Sequence, residues 1–272
     1  GDHRDLHSFP TRRSSDLNQS VLYVQDNLES EPRVFLDPNK LSADGTVALT
    51  GISFSNNGKY AAYTISRSGS DWSEIYVMSV ADGKQLSDHI KWSKFSSAAW
   101  QGDGFYYSAY DAPEKGKEFS NMNENHKVYY HKIGTPQTED KLIYENKKHP
   151  KRFYTVSVSD DETTLFLYES GEGNGNALYM KDLTKAGAPL VPMATDFNYQ
   201  YYPFDVIDGN IYIYTNQDAR KYHIMTTTPA KPDIKDWQEL VPETDNVLAG
   251  TEIIGGKMLL TYIKDEIGRA HV

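Results

Sequence analysis

At 272 residues and a net charge of -10, from 38 acidic and 28 basic side chains, the chain offers no attractive field to nucleic acid or to an anionic membrane surface. It contains no cysteine, which excludes disulfides, thiolate metal sites and thiol chemistry, and no window approaches the apolar length of a membrane helix. Twelve per cent aromatics, 20 Tyr, 19 Gly and a mean hydropathy of -0.64 suit an all-β domain rich in hairpins and large enough for a substantial core.

In chain order, Val21–Val24 and Arg33–Leu36 read as two strands, the outer half of an incomplete first repeat. Residues 51–86 read as a complete four-stranded meander. Ile52 and Phe54, then Tyr60, Ala62 and Thr64, alternate around Asn56-Asn57-Gly58, the chemistry of a tight hairpin with positive φ. Strand 74–80 follows, and Ala81-Asp82-Gly83-Lys84 turns the chain into 85–86. A third repeat takes 96–100, 105–110, 127–130 and 141–144, with 111–125 as a polar surface insertion. A fourth takes 155–158, 165–168, 177–180 and 190–193, and a fifth 203–207, 211–215, 223–226 and 239–241. Residues 251–254 and 257–263 open a sixth. A repeat of about 45–60 residues with four short strands predicts an incomplete β-propeller of four-stranded antiparallel blades. Blades gain stability by stacking on neighbours, so an open run leaves bare faces and predicts self-association.

The two ends read differently. Residues 1–17, GDHRDLHSFPTRRSSDL, are codon for codon what a widely used short-read library adapter encodes. Residues 266–272, EIGRAHV, match the start of the adapter at the other end of a read. Both ends are expected to be sequencing scars, leaving 18–265 as the natural partial propeller with its true termini unseen.

Few of the chain's polar residues fall into a pattern that carries chemistry. No Gly-x-Ser-x-Gly elbow stands between a strand and a helix. His126 and His131 fall on opposite faces of a strand and read as a solvated pair, not a metal site. Residues 171–176, GEGNGN, lack the spacing of a phosphate cradle and read as a flexible hairpin loop. Residues 147–152, KKHPKR, read as solvated loop charge, and Asn18-Gln19-Ser20 is a weak glycosylation sequon.

Whole segments are more informative. VLYVQDNLESEPRVFLDPNKLSADGTVAL at 21–49, SGSDW at 68–72, KFS at 94–96, YYHKIGTPQTED at 129–140 and LVPE at 240–243 resemble the prolyl oligopeptidase (prolyl endopeptidase) family in order and spacing. WD-repeat and Kelch propellers lack these strings. The resemblance implies a seven-bladed propeller capping an α/β-hydrolase domain, whose Ser, Asp and His cleave after proline in short peptides. It implies that this chain runs from the end of blade one to the start of blade six, about five of seven blades, and assigns it no catalytic residue, metal or cofactor. The implied partners are proline-containing peptides and a C-terminal α/β-hydrolase domain of the same chain.

Three residues carry over. Phe95, in KFS, matches an aromatic lining the substrate pocket; its alternative is ordinary core packing. Phe153, aligned outward from Pro150-Lys151, falls where the family often has an apolar pocket residue, commonly Met. Asp71, in SGSDW, matches a propeller acid facing a basic residue of the peptidase domain near the substrate; its alternative is a turn cap. The expected role is the substrate-gating propeller of a proline-specific serine endopeptidase, and the alternative is a stand-alone propeller binding a protein or peptide. The expected compartment is the cytoplasm, or the periplasm if a lost N-terminus carried a signal peptide.

Overall fold

A computed structural model describes residues 11–12, 19–116, 123–264 and 267–271; most of the N-terminal adapter-like end and part of the 111–125 insertion lie outside the described residues. The chain divides into two compact units, Gly1–Met122 with Lys127–Tyr144, and Asn123–His126 with Glu145–Val272.

In the first unit, β1 (Thr11–Arg12), β2 (Val21–Val24) and β3 (Arg33–Leu36) form one antiparallel sheet. Next come β4 (Val47–Phe54), β5 (Tyr60–Arg67), β6 (Ser73–Ser79) and β7 (Gln85–Ser93), a meander paired in sequence order. A second meander holds β8 (Ala99–Gln101), β9 (Gly104–Ala109), β10 (Lys127–Lys132) and β11 (Lys141–Glu145). A single bridge, Ser93↔Ala109, joins β7 to β9.

Period two explains how one strand serves two cores. Along β5, Ala61, Tyr63 and Ile65 point to a cluster with Leu22, Phe35, Leu36, Val47 and Met78. Ala62, between them, points the other way, into Ile75, Val77, Ile90, Trp100, Phe105 and Tyr107. The register agrees, since Ala61 faces Met78 and Ala62 faces Val77. Both faces of this sheet are therefore apolar, as stacked blades require.

β7 departs from the regular ladder twice. Tyr76↔His89 is followed by Met78↔Gln85, so 86–88 crowd opposite Val77 alone, and Lys91 and Trp92 are likewise set against Glu74 alone between Ile75↔Ile90 and Ser73↔Ser93. Such bulges bend a strand and re-aim its side chains.

The second unit repeats the plan. One meander is β12 (Phe153–Val158), β13 (Thr164–Ser170), β14 (Ala177–Asp182) and β15 (Val191–Ala194). The next is β16 (Tyr201–Ile207), β17 (Asn210–Thr215), β18 (His223–Thr227) and β19 (Gln238–Val241). β20 (Val247–Ile254), β21 (Lys257–Lys264) and β22 (Ile267–His271) form a third antiparallel sheet. Phe166, Tyr168, Leu178 and Met180 of the first meander share a core with Tyr201, Val206, Ile211, Ile213 and Trp237.

Four sequence expectations are corrected. His126 and His131 are not a solvated pair, for both are buried: His126 Nδ1 accepts from the Tyr154 N–H at 2.9 Å, and His131 lies between two carboxylates. The 171–176 hairpin is anchored, not flexible. Gly175 and Asn176 donate to the Phe197 and Tyr199 carbonyls at 3.0 Å each, and a Cβ on Gly175 would sit 1.8 Å from the Tyr199 oxygen. Within 147–152 the lysines are exposed, but Arg152 turns inward onto Glu169. The third repeat's first strand also starts late, at Ala99, because Ser96 is occupied in holding the preceding crossover to β9.

Candidate functional site

SGSDW forms the turn between β5 and β6. Ser68 (φ 52) and Gly69 (φ 70) are both left-handed, and the Ser70 N–H donates to the Arg67 carbonyl at 2.9 Å, the geometry of a type I′ hairpin. The capping role falls to Ser70, whose Oγ accepts from the Trp72 N–H at 3.0 Å. Asp71 is thereby left pointing outward, its side chain 83% exposed, and its carboxylate meets Lys94 Nζ at 3.3 Å.

Lys94 comes from the crossover between β7 and β8. Its side chain is only 11% exposed, and its ammonium lies 5.3 Å from the Trp72 ring centre and 5.5 Å from that of Phe95. Cations at such distances are attracted to the negative ring face, and more strongly once water is excluded. Trp72 meets Trp92 and Tyr110 edge-on, at 5.5 and 5.9 Å. Lys94 is thus held among aromatic rings, with Asp71 as its counter-ion.

Phe95 has φ 52 and is 51% exposed. A phenylalanine in the left-handed region carries about 1–2 kcal/mol of backbone strain, tolerated only where surrounding contacts impose it. Those contacts are clear: Ser93 Oγ donates to the Ser108 carbonyl at 3.1 Å, the Ser108 N–H donates to Ser96 Oγ at 2.8 Å, and the Tyr110 N–H donates to the Trp92 carbonyl at 3.1 Å. The crossover is tied to β9 on both sides of Phe95, and the ring is displayed rather than packed inside. Core packing therefore does not account for it.

Beside this turn, Arg67, Trp72, Glu74, Tyr76, His89 and Trp92 line a groove of about 570 Å³. Partial burial opposes ionisation of Glu74, but donors from Arg67 Nε at 2.6 Å, Tyr76 Oη at 2.7 Å and His89 hold its carboxyl at about 2.

Phe153 lies in the second unit, at the start of β12, half-buried and opposite Ser170. Its neighbour Arg152 grips Glu172 with two nitrogens, at 3.1 and 2.8 Å, and donates to Glu169 at 3.0 Å. The guanidinium also covers the Phe197 ring at 4.6 Å. Glu169 is fully buried and accepts further from the Tyr179 and Tyr154 hydroxyls, at 3.0 and 3.4 Å. The start of β12 and the glycine hairpin are locked together by this network.

Asp71 and Phe95 thus converge on Lys94, while Phe153 belongs to a separate arrangement in the other unit. Sequence reasoning missed Lys94 and Trp72, although both stand inside the quoted strings, because period two does not say which turn meets which crossover. Among the described residues no group of three or more His, Asp or Glu could hold a metal, and no helix is long and apolar enough to cross a membrane.

A family model described as "Prolyl oligopeptidase, N-terminal beta-propeller domain" matches residues 4–270. The prolyl endopeptidase of Elizabethkingia meningoseptica is 39% identical over 250 residues, spanning 92% of this chain and 35% of that protein. Prolyl oligopeptidase A of Galerina marginata is 35% identical over 282 residues, spanning 94% and 38% respectively. Among solved structures, one from a study of two prolyl endopeptidases superposes with a TM-score of 0.85 at 29% identity, covering 96% of this chain and 38% of its own. Prolyl oligopeptidase B of Galerina marginata, bound to a 35mer hydrolysis and macrocyclization substrate, gives 0.81 at 28% identity, covering 93% and 39%. The chain spans little more than a third of the length of these curated relatives. Four-stranded antiparallel meanders, the family strings and these matches agree: the chain belongs to the prolyl oligopeptidase family, within its N-terminal β-propeller domain.

Proposed function

We propose that this chain is the substrate-gating propeller portion of a proline-specific serine endopeptidase acting on short peptides, and that Phe95 and Phe153 line its substrate pocket while Asp71 faces a catalytic domain. The observation that carries the reading is the convergence of two family strings on one ammonium: SGSDW supplies an exposed carboxylate and KFS a displayed aromatic ring, both against Lys94. An apolar ring beside an exposed charge suits a peptide whose proline packs on the ring while its polar backbone stays near solvent. The partners are proline-containing peptides and an α/β-hydrolase domain of the same protein, in the cytoplasm or, after export, the periplasm. We read residues 1–17 and 266–272 as adapter-derived, a reading supported by their residue-for-residue agreement with what the adapter encodes.

Recovering the uninterrupted gene from its source tests all of this. A downstream Gly-x-Ser-x-Gly segment, and hydrolysis of a chromogenic glycyl-prolyl substrate by the longer product, are expected. The 272-residue chain by itself is expected to leave that substrate intact. A natural stop codon directly after the propeller would overturn the peptidase reading in favour of a stand-alone binding propeller.

A further inference from the structure

We propose that His131 is a positioning residue for the Asp71–Lys94–Phe95 site, acting through a buried network that anchors β7 at both places where its ladder is interrupted; this rests on the reading that those residues face substrate.

His131 is fully buried, and its ring bridges two acids: Nδ1 lies 2.7 Å from Asp140 Oδ1 and Nε2 lies 3.0 Å from Asp88 Oδ1. Asp88 stands in the first irregular stretch of β7, where 86–88 crowd opposite one residue of β6. It also accepts from the Gly134 N–H at 2.6 Å, while its Oδ2 is buried with no hydrogen-bond partner among the described residues. Asp140 accepts from the Tyr107 hydroxyl at 2.7 Å, and Gln137 Nε2 lies 3.4 Å from that hydroxyl. Gln137 in turn clasps the Lys91 backbone, accepting its N–H and donating to its carbonyl at 3.0 Å each. Lys91 sits in the second irregular stretch, next to Trp92, whose φ is 59. Trp92 then meets Trp72 edge-on, and Trp72 is one of the rings around Lys94.

The chain of contacts therefore runs without a gap from the imidazole to the rings of the site. The ladder cannot hold β7 at these two stretches, so side chains from the β10–β11 segment hold it instead. An imidazolium suits the task because it donates from both nitrogens, whereas a neutral imidazole donates from one. The titratable groups facing the ring are Asp88 from β7, Tyr107 from β9 and Asp140 ahead of β11; Phe105 covers the ring at 5.2 Å. Burial disfavours the charged ring, but the two carboxylates outweigh it and raise His131 to about 9. When the proton leaves, the ring can donate to only one of Asp88 and Asp140, and the clamp that both acids make on β7 loosens.

The test follows histidine ring protons and 5-fluorotryptophan signals of the chain by NMR from pH 7 to 10.5. His131 is expected to titrate near 9, and the Trp92 and Trp72 signals are expected to move with the same midpoint. In His131→Gln, which donates from one nitrogen only and does not titrate, their shift near that midpoint is expected to vanish while far-UV circular dichroism is unchanged. Titration of His131 without movement of the two tryptophans overturns the proposal, as does absence of any His131 titration in that range. Both readouts exist in the unsubstituted chain, so an unfolded variant does not remove the test. If the tryptophans follow His131 but Phe95→Ala leaves kcat/KM of the longer gene product unchanged, the positioning stands and the assignment of Phe95 to substrate falls.

Discussion

Replacing Arg152 by methionine should destabilise the second unit by about 3 kcal/mol. Methionine retains much of the aliphatic stem, so the loss is chiefly electrostatic. Glu169 is 0% exposed and would keep only the Tyr179 and Tyr154 hydroxyls. Removing one member of a buried ion pair costs about 3–5 kcal/mol because the other charge is left in a medium that solvates it poorly. Two considerations place the value at the lower end. The remaining hydroxyls solvate part of the charge, and neutralising an ordinary glutamate at pH 7 costs about 4 kcal/mol, which sets a ceiling. The second pair, to the half-exposed Glu172, adds little, because solvent screens it. Urea unfolding followed through Trp237, which packs in the core of this unit, measures the change. Arg152→Met alone should lose about 3 kcal/mol, Glu172→Gln far less, and Arg152→Met with Glu169→Met should regain at least half of the loss. A loss below about 1 kcal/mol for Arg152→Met, or no recovery in the double variant, would refute the view that Glu169 depends on this guanidinium.

Stability should fall on the alkaline side. His131 is raised to about 9 from an ordinary value near 6.5, so its contribution is complete below the ordinary value and is lost as pH rises through 9, at most about 3 kcal/mol. Urea midpoints at pH 6.5 and 9.5 should differ in that sense, and His131→Leu should abolish the difference; equal midpoints for the unsubstituted chain would count against a charged clamp. Phe95→Ala should cost no more than about 2 kcal/mol, since half the ring is already exposed, yet lower kcat/KM for proline peptides in the longer gene product. A large fall in Tm with unchanged kinetics would assign Phe95 to packing. Gly175→Ala should cost about 3 kcal/mol or more, because the new Cβ would stand 1.8 Å from the Tyr199 carbonyl oxygen. A folded variant with an unaltered urea midpoint would show that this approach is not close in solution.

Much of the architecture was legible because alternation and turn residues are local. Asn56-Asn57-Gly58 and the alternation on either side of it place a hairpin without reference to anything distant, and β4 and β5 follow that reading. From sequence alone His131 reads as solvated, for a physical reason. Opposite faces mean one wet side only when a sheet has one, and stacked sheets bury both. The same stacking hid the inward turn of Arg152, since nothing in KKHPKR distinguishes it from its neighbours until Glu169 is seen beneath it. Composition makes the hairpin at 171–176 read as loose, whereas Gly173 and Gly175 are required by the close passage of the 197–199 backbone. Asp71 and Phe95 were found through family strings, but their meeting at Lys94 depends on a turn and a crossover that are 23 residues apart in sequence.

The lone Ser93↔Ala109 bridge bears on how such a chain can be built and rebuilt. Inside each meander the ladders run along the strands, and slipping one by a residue would turn its side chains to the wrong face. Between meanders the backbone imposes almost no register, so neighbours recognise each other by side chains such as Asp88 and His131. A repeat can therefore be duplicated, lost or exchanged without re-threading any hydrogen-bonded ladder, provided the few contacts that name its neighbour are rewritten. A joint with so little strand pairing is the one most open to evolutionary shuffling.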